Sequence, residues 1–154
     1  MNRQISGGAR VMASVPWDES YSVGNAALDS DHRILITLLV QLHDAMDTGQ
    51  SRDVVGSIIN ALAEYVDHHF QREEVILLRV GYPDTDAHCN AHRVLAAKVA
   101  TIRDRWLAGE REALGDEVVD LLKKWLTEHI MVADKSYSPW VVNLGDHDRG
   151  SADR

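Results

Sequence analysis

Two short stretches of this sequence have residue types and spacings suited to metal chemistry. The first, H-H-F-Q-R-E-E, sets His69 and Glu73 four residues apart, and the second, H-C-N-A-H, does the same for His88 and His92. Four residues carry an α-helix through about one turn, so the members of each pair project from one face. Between the pairs lies Gly81-Tyr82-Pro83, where glycine can end one helix and proline prevents its continuation. If the chain turns back there, the two pairs face each other. Imidazole and carboxylate are donors for iron, zinc and related ions. A metal site is therefore the first expectation.

The elements that must position these pairs follow from apolar periodicity. A first helix is expected from near Ser30, capped by Asp29 or Ser30, with a stripe of Leu35, Leu39, Leu42 and Met46 that also carries His32. Ser51 can cap a second helix running to about Val80, whose stripe includes Val55, Leu62, Val66, His69, Glu73 and Leu77. A third runs from Asp84 or Thr85 to about Ala108, with His88, His92, Leu95, Val99, Ile102 and Trp106 on one face. The fourth starts near Asp116 and carries Val118, Leu122, Trp125, Leu126 and His129. Residues 1–14 read as a mobile tail, 15–140 as one folded domain and 141–154 as a second tail. Val15 to Ala27 reads as an ordered loop whose aromatic residues pack on the body.

Four helices joined by short loops predict an all-α fold, an up-down-up-down antiparallel four-helix bundle. That topology makes a demand on the histidines. His32 lies near the start of the first helix, His69 and Glu73 late in the second, His88 and His92 at the start of the third, and His129 near the end of the fourth. In an antiparallel bundle all of these positions fall toward one end. Buried polar groups need partners, and a metal supplies them.

The number of candidate donors exceeds what one ion needs, since structural zinc takes four ligands and catalytic zinc three and water. A binuclear centre fits better, and bridging carboxylates favour a hard, redox-active pair such as iron. The zinc-protease pattern H-E-x-x-H and the ferritin-like E-x-x-H are both absent. Asp134, five residues after His129, lies about 140° away on an ideal helix. Only a widened turn or the helix end could swing it inward.

Composition narrows the partners. A net charge of −8 argues against a nucleic-acid surface or an anionic membrane. No apolar run has the length of a membrane span, and the opening residues lack the continuous apolar segment of a signal peptide. The single cysteine, Cys89, rules out an intrachain disulfide and suits a reducing compartment, so a cytoplasmic location is expected. A monomer is favoured.

The quoted stretches, with W-D-E-S-Y-S-V-G, D-S-D-H at Asp29–His32, G-Y-P, W-L-T-E-H-I and Asp134, together resemble the haemerythrin family in its bacterial single-domain form, over about Trp17 to Trp140. The resemblance implies two iron ions: His88, His92 and His129 on one, His32 and His69 on the other. Glu73 and Asp134 would bridge them beside an oxygen atom. It implies reversible dioxygen binding at the iron with two histidines, and binding of small anions such as azide to the oxidised form. Positions similar to the family's oxygen pocket are Leu35, Phe70, Trp125, Leu126 and Ile130, all of them also ordinary core residues. Asp31, Val40 and Leu77 stand where glutamine, asparagine and methionine are frequent, which leaves tuning of the centre open.

Complete ligation, with no further acid, base or substrate pocket in view, favours a non-enzymatic oxygen carrier, store or scavenger. A di-iron oxidase, peroxidase or nitric-oxide scavenger, and a sensor acting through a partner, are the other readings. His43, His68 and His147 are expected to be exposed, and Cys89 to be an inert thiol. Glu74 reads as a solvated or helix-pairing residue, and Tyr137 as packing.

Overall fold

A computed structural model describes residues 17–110, 116–142 and 144. Most of both expected tails, and the greater part of the loop before the fourth helix, lie outside the described residues. The long helices are α1 (Ala26–Asp47), α2 (Arg52–Val80) and α3 (Thr85–Leu107). The fourth pass comprises α4 (Asp116–Glu128), a π-helical segment (His129–Asp134) and α5 (Lys135–Val141). There is no strand among the described residues, and the architecture is the expected four-helix bundle.

The first helix starts four residues before the expected Ser30. Asn25 is its N-cap, with its side chain accepting the Leu28 N–H at 3.2 Å. Asp29 already lies in the first turn and accepts the Val23 N–H at 2.8 Å and the Ser22 hydroxyl. Gly24 makes this entry possible: its φ is +76°, and a Cβ there would stand 2.8 Å from Val142 Cγ2. Ser51 caps α2 through the Val54 N–H, and Gly81, at φ 68° and ψ 38°, ends it in the left-handed conformation. The second and third helices thus fall where expected.

The fourth pass differs. It continues past His129 to Val141, with Pro139 inside the last segment. Val141, placed in the C-terminal tail by sequence, is fully buried. Among the described side chains of α4, Val119, Leu122 and Leu126 are buried. The side chains of Val118 and Trp125 are outside the described set.

α1 packs on α2 and α4, and α2 also on α3 and α5. Two apolar clusters result. The larger runs through the bundle body and includes Leu35, Leu39, Leu62, Val66, Phe70, Leu95, Leu126 and Ile130. The smaller closes one end with Val23, Leu28, Leu77, Tyr82, Tyr137 and Val141. Trp17 and Tyr21 pack against the larger cluster as expected. α1, α2 and the fourth pass contribute to both clusters, α3 contributes to the larger, and Tyr82, just ahead of α3, to the smaller. Along the chain His32 falls between Leu28 and Leu35, His69 between Val66 and Leu77, His88 and His92 between Tyr82 and Leu95, and His129 between Leu126 and Tyr137, at each changeover from one cluster to the other. The polar layer is therefore sealed above and below by apolar side chains. No helix among the described residues is long and apolar enough to cross a membrane.

Candidate metal centre

The polar layer gathers all seven sequence-predicted donors. His32 comes from α1, His69 and Glu73 from α2, His88 and His92 from α3, and His129 and Asp134 from the two ends of the π segment. All seven are buried, Glu73 and His32 completely. The π segment solves the placement of Asp134. Its turn is wider by one residue, as shown by the Lys135 N–H bonding to the Ile130 carbonyl five residues back. Residues five apart then return to one side, and Asp134 Oδ1 lies 3.1 Å from His129 Nε2.

The donors form two groups, each with its atoms within 4.8 Å of one another: Glu73, His88, His92, His129 and Asp134, and His32, His69, Glu73 and Asp134. Both carboxylates belong to both groups, and each divides its two oxygens between them. Glu73 Oε1 is 2.5 Å from His88 Nε2 and 3.1 Å from His92 Nε2, whereas Oε2 is 3.1 Å from His69 Nε2 and 3.6 Å from His32 Nε2. Asp134 Oδ1 is 3.1 Å from His88 Nε2, and Oδ2 is 3.0 Å from His32 Nε2.

Several of these close approaches are not hydrogen bonds. Both ring nitrogens of His32, His92 Nε2 and both Asp134 oxygens are buried without a hydrogen-bond partner. Such groups are costly in a folded core. Donors about 2.1 Å from one octahedral ion stand about 3 Å from their neighbours, and the 3.0–3.1 Å separations match that spacing. One ligand atom from each residue of a group converges within 4.8 Å, so the donor set fits a cation in each group.

Electrostatics agree. Burial alone would lower the pKa of His32, but the carboxylates of Asp134 and Glu73 push it up to about 10. Burial likewise opposes protonation of His88, and the same two carboxylates take it to about 9. Burial pushes the Glu73 carboxyl up, yet four surrounding imidazoles hold it well below its ordinary range. Burial and the neighbouring Glu73 charge also oppose ionisation of Asp134, and His129, His32 and His88 outweigh them. The layer thus provides fixed negative charge that attracts either protons or metal.

A stability optimum follows for protein stripped of metal by a chelator. His32 is raised from 6.5 to about 10, so its contribution is complete below pH 6.5 and is lost as pH rises through about 10. Glu73 is depressed from 4.5, so its contribution is present above pH 4.5 and is lost as pH falls. Melting temperatures of the stripped protein should peak between pH 4.5 and 6.5. A plateau extending unchanged to pH 10 would contradict this charge pattern.

Three groups around the donors were not assigned these contacts by sequence. Tyr137, fully buried, donates its hydroxyl to Glu73 Oε2 at 2.8 Å. Burial and the nearby carboxylates raise its pKa well above the usual value, which keeps the hydroxyl a donor. Glu74, expected to be solvated, is half-buried and lies 2.9 Å from His92 Nδ1. Asp31 is buried and lies 3.0 Å from His69 Nδ1. No spacing rule links Glu74 to His92, which face each other across two helices. His43 is a correction: its side chain is only 12% exposed, beside Asp44. His68 is exposed as expected, and His147 lies outside the described residues.

Of the pocket candidates, Leu35, Phe70, Leu126 and Ile130 are buried in the larger apolar cluster. The Phe70 ring stacks on His92, with centroids 3.8 Å apart and planes within 5°. The Trp125 side chain is outside the described set.

A four-helix bundle enclosing histidine-rich donor groups around shared carboxylates defines a metal-binding protein. Residues 23–141 match the family described as "Hemerythrin HHE cation binding domain". The chain is 35% identical over 130 residues to the bacteriohemerythrin of Stenotrophomonas maltophilia, covering 84% of this chain and 83% of that one. It is 32% identical to the bacteriohemerythrin of Methylococcus capsulatus, covering 83% and 97%. A wild-type hemerythrin crystal structure superposes with a TM-score of 0.76 at 29% identity, over 82% of this chain and 96% of that one. The chain belongs to the haemerythrin family.

Proposed function

We propose that this protein binds dioxygen reversibly at a non-haem di-iron centre, as a carrier, store or scavenger in the cytoplasm. The observation that carries the reading is inequality between two donor groups that share both carboxylates: one offers five residues, the other four. On ions of equal coordination number, the smaller group leaves one more position for an exogenous ligand. Two ferrous ions would supply the electrons that dioxygen accepts on binding and returns on release. His88, His92 and His129 would hold one ion, His32 and His69 the other, with Glu73 and Asp134 joining them.

The remaining work belongs to the chain. The Tyr137 hydroxyl donates to Glu73 Oε2 and would hold that carboxylate between the two groups, and the Phe70 ring, stacked on His92, would fix its imidazole. Leu35, Phe70, Leu126 and Ile130, all buried, would keep water from the oxygen site, which slows irreversible oxidation. Small anions such as azide would be drawn to the oxidised centre by its higher positive charge.

Purified protein should contain about two irons per chain, and the reduced form should give an absorption band on mixing with oxygen that disappears on deoxygenation. Metal analysis and stopped-flow spectroscopy check both points. One zinc and no iron after expression with ample iron would overturn the di-iron reading. Oxygen consumed catalytically with a reductant, and no adduct at any time, would favour an oxidase instead.

A further inference from the structure

Two histidines of the centre have a carboxylate against the ring nitrogen that faces away from the donor groups. Asp31 Oδ2 lies 3.0 Å from His69 Nδ1, and Glu74 Oε1 lies 2.9 Å from His92 Nδ1. An ionised carboxylate can only accept, so in both pairs Nδ1 carries the hydrogen and Nε2 is left as the donor to an ion. The two carboxylates are nevertheless unequal. The Glu74 side chain is 32% exposed, whereas Asp31 is 1% exposed. Water therefore screens Glu74 far more than Asp31.

Asp31 is also built into a network. Its second oxygen, Oδ1, accepts the Tyr65 hydroxyl at 2.9 Å and Arg72 Nη1 at 3.2 Å, which leaves Oδ2 to His69. Arg72 is partly exposed and in turn reaches the exposed His68. These residues hold the charge in place while competing with His69 for it. His69 belongs to the four-residue group, where the proposed function places the exogenous ligand.

We propose that Asp31 is the positioning residue that sets how strongly His69 donates to its ion, with Tyr65 and Arg72 limiting the charge it passes on. A carboxylate against Nδ1–H fixes the ring and raises the basicity of Nε2. This strengthens metal binding and favours the oxidised state. Removing the Tyr65 hydroxyl should do the reverse of removing the Asp31 charge, because it frees charge for His69 without touching the Oδ2 contact. A residue that only held the fold together would not give opposite signs. The redox part of this inference rests on the di-iron reading; the affinity part does not.

The test compares full-length wild type with Asp31→Asn, Tyr65→Phe and Glu74→Gln. Cobalt(II) affinity is measured by chelator competition, and the midpoint potential is measured on iron-loaded protein. Asp31→Asn should weaken cobalt binding by about 10–100-fold, the usual cost of losing such a partner, and shift the potential positive. Tyr65→Phe should bind cobalt as tightly as wild type or tighter, and shift the potential negative. Glu74→Gln should shift the potential less than Asp31→Asn. Equal signs for Asp31→Asn and Tyr65→Phe, or cobalt affinity of Asp31→Asn within twofold of wild type, would overturn the assignment. If Asp31→Asn does not fold, the sign for Tyr65→Phe decides. A wild-type protein with no iron redox couple would refute the di-iron reading instead, and the cobalt affinities would still judge Asp31.

Discussion

Chelating the metal from the folded protein is expected to lower its melting temperature by about 10 °C or more. The polar layer takes residues from all four passes of the bundle, so an ion there ties together helices otherwise joined only by packing and short loops. One ion present at a thousandfold its dissociation constant stabilises the folded state by about 4 kcal/mol. In a chain of this size each kcal/mol moves the melting temperature by about 2–4 °C. Two ions should do more than one. Without them, His32 and Asp134 keep buried ring nitrogens and oxygens that have no hydrogen-bond partner. Calorimetry of chelated and reloaded protein at one pH checks the point, and equal melting temperatures would show that the layer is stable on its own.

The largest single-residue effect is expected from Glu73→Ala. Glu73 is the only α2 carboxylate in the two groups, and its oxygens approach imidazoles from both: His88 and His92 on one side, His69 and His32 on the other. Truncation should take the metal content from about two ions per chain to fewer than one, and abolish any oxygen-dependent band. It also strands the Tyr137 hydroxyl, fully buried and bonded to Glu73 Oε2; an unsatisfied buried donor costs about 1–3 kcal/mol. His129→Ala makes the useful contrast, since it removes a donor from the five-residue group alone. That variant should keep an ion in the other group. Equal losses from the two substitutions would mean that the groups are not joined through the carboxylates.

Much of this site was legible from sequence because helical periodicity is a local property. His69 with Glu73, and His88 with His92, declare a shared face by their spacing alone. The Gly81–Pro83 break turns one pair toward the other. The apolar stripes of four helices, together with the alternation of helix direction, then send His32 and His129 to the same end. None of this needs knowledge of which atoms touch.

Other features depended on contacts that local patterns do not encode. Asp134 enters the layer through a π turn, which breaks the 3.6-residue rule by which ideal spacing had placed it about 140° away. The first helix begins at Ala26 rather than near Ser30 because Asn25 caps it and Gly24 fits under Val142, a residue from the far end of the chain. Glu74 and Tyr137 look like a surface charge and a packing aromatic until α3 and Glu73 are set beside them. Asp31 next to His32 in sequence serves His69 across the bundle. Spacing along one helix fixes which side chains share a face; which nitrogen meets which oxygen is settled only when the helices pack, because that contact depends on their relative rotation and depth.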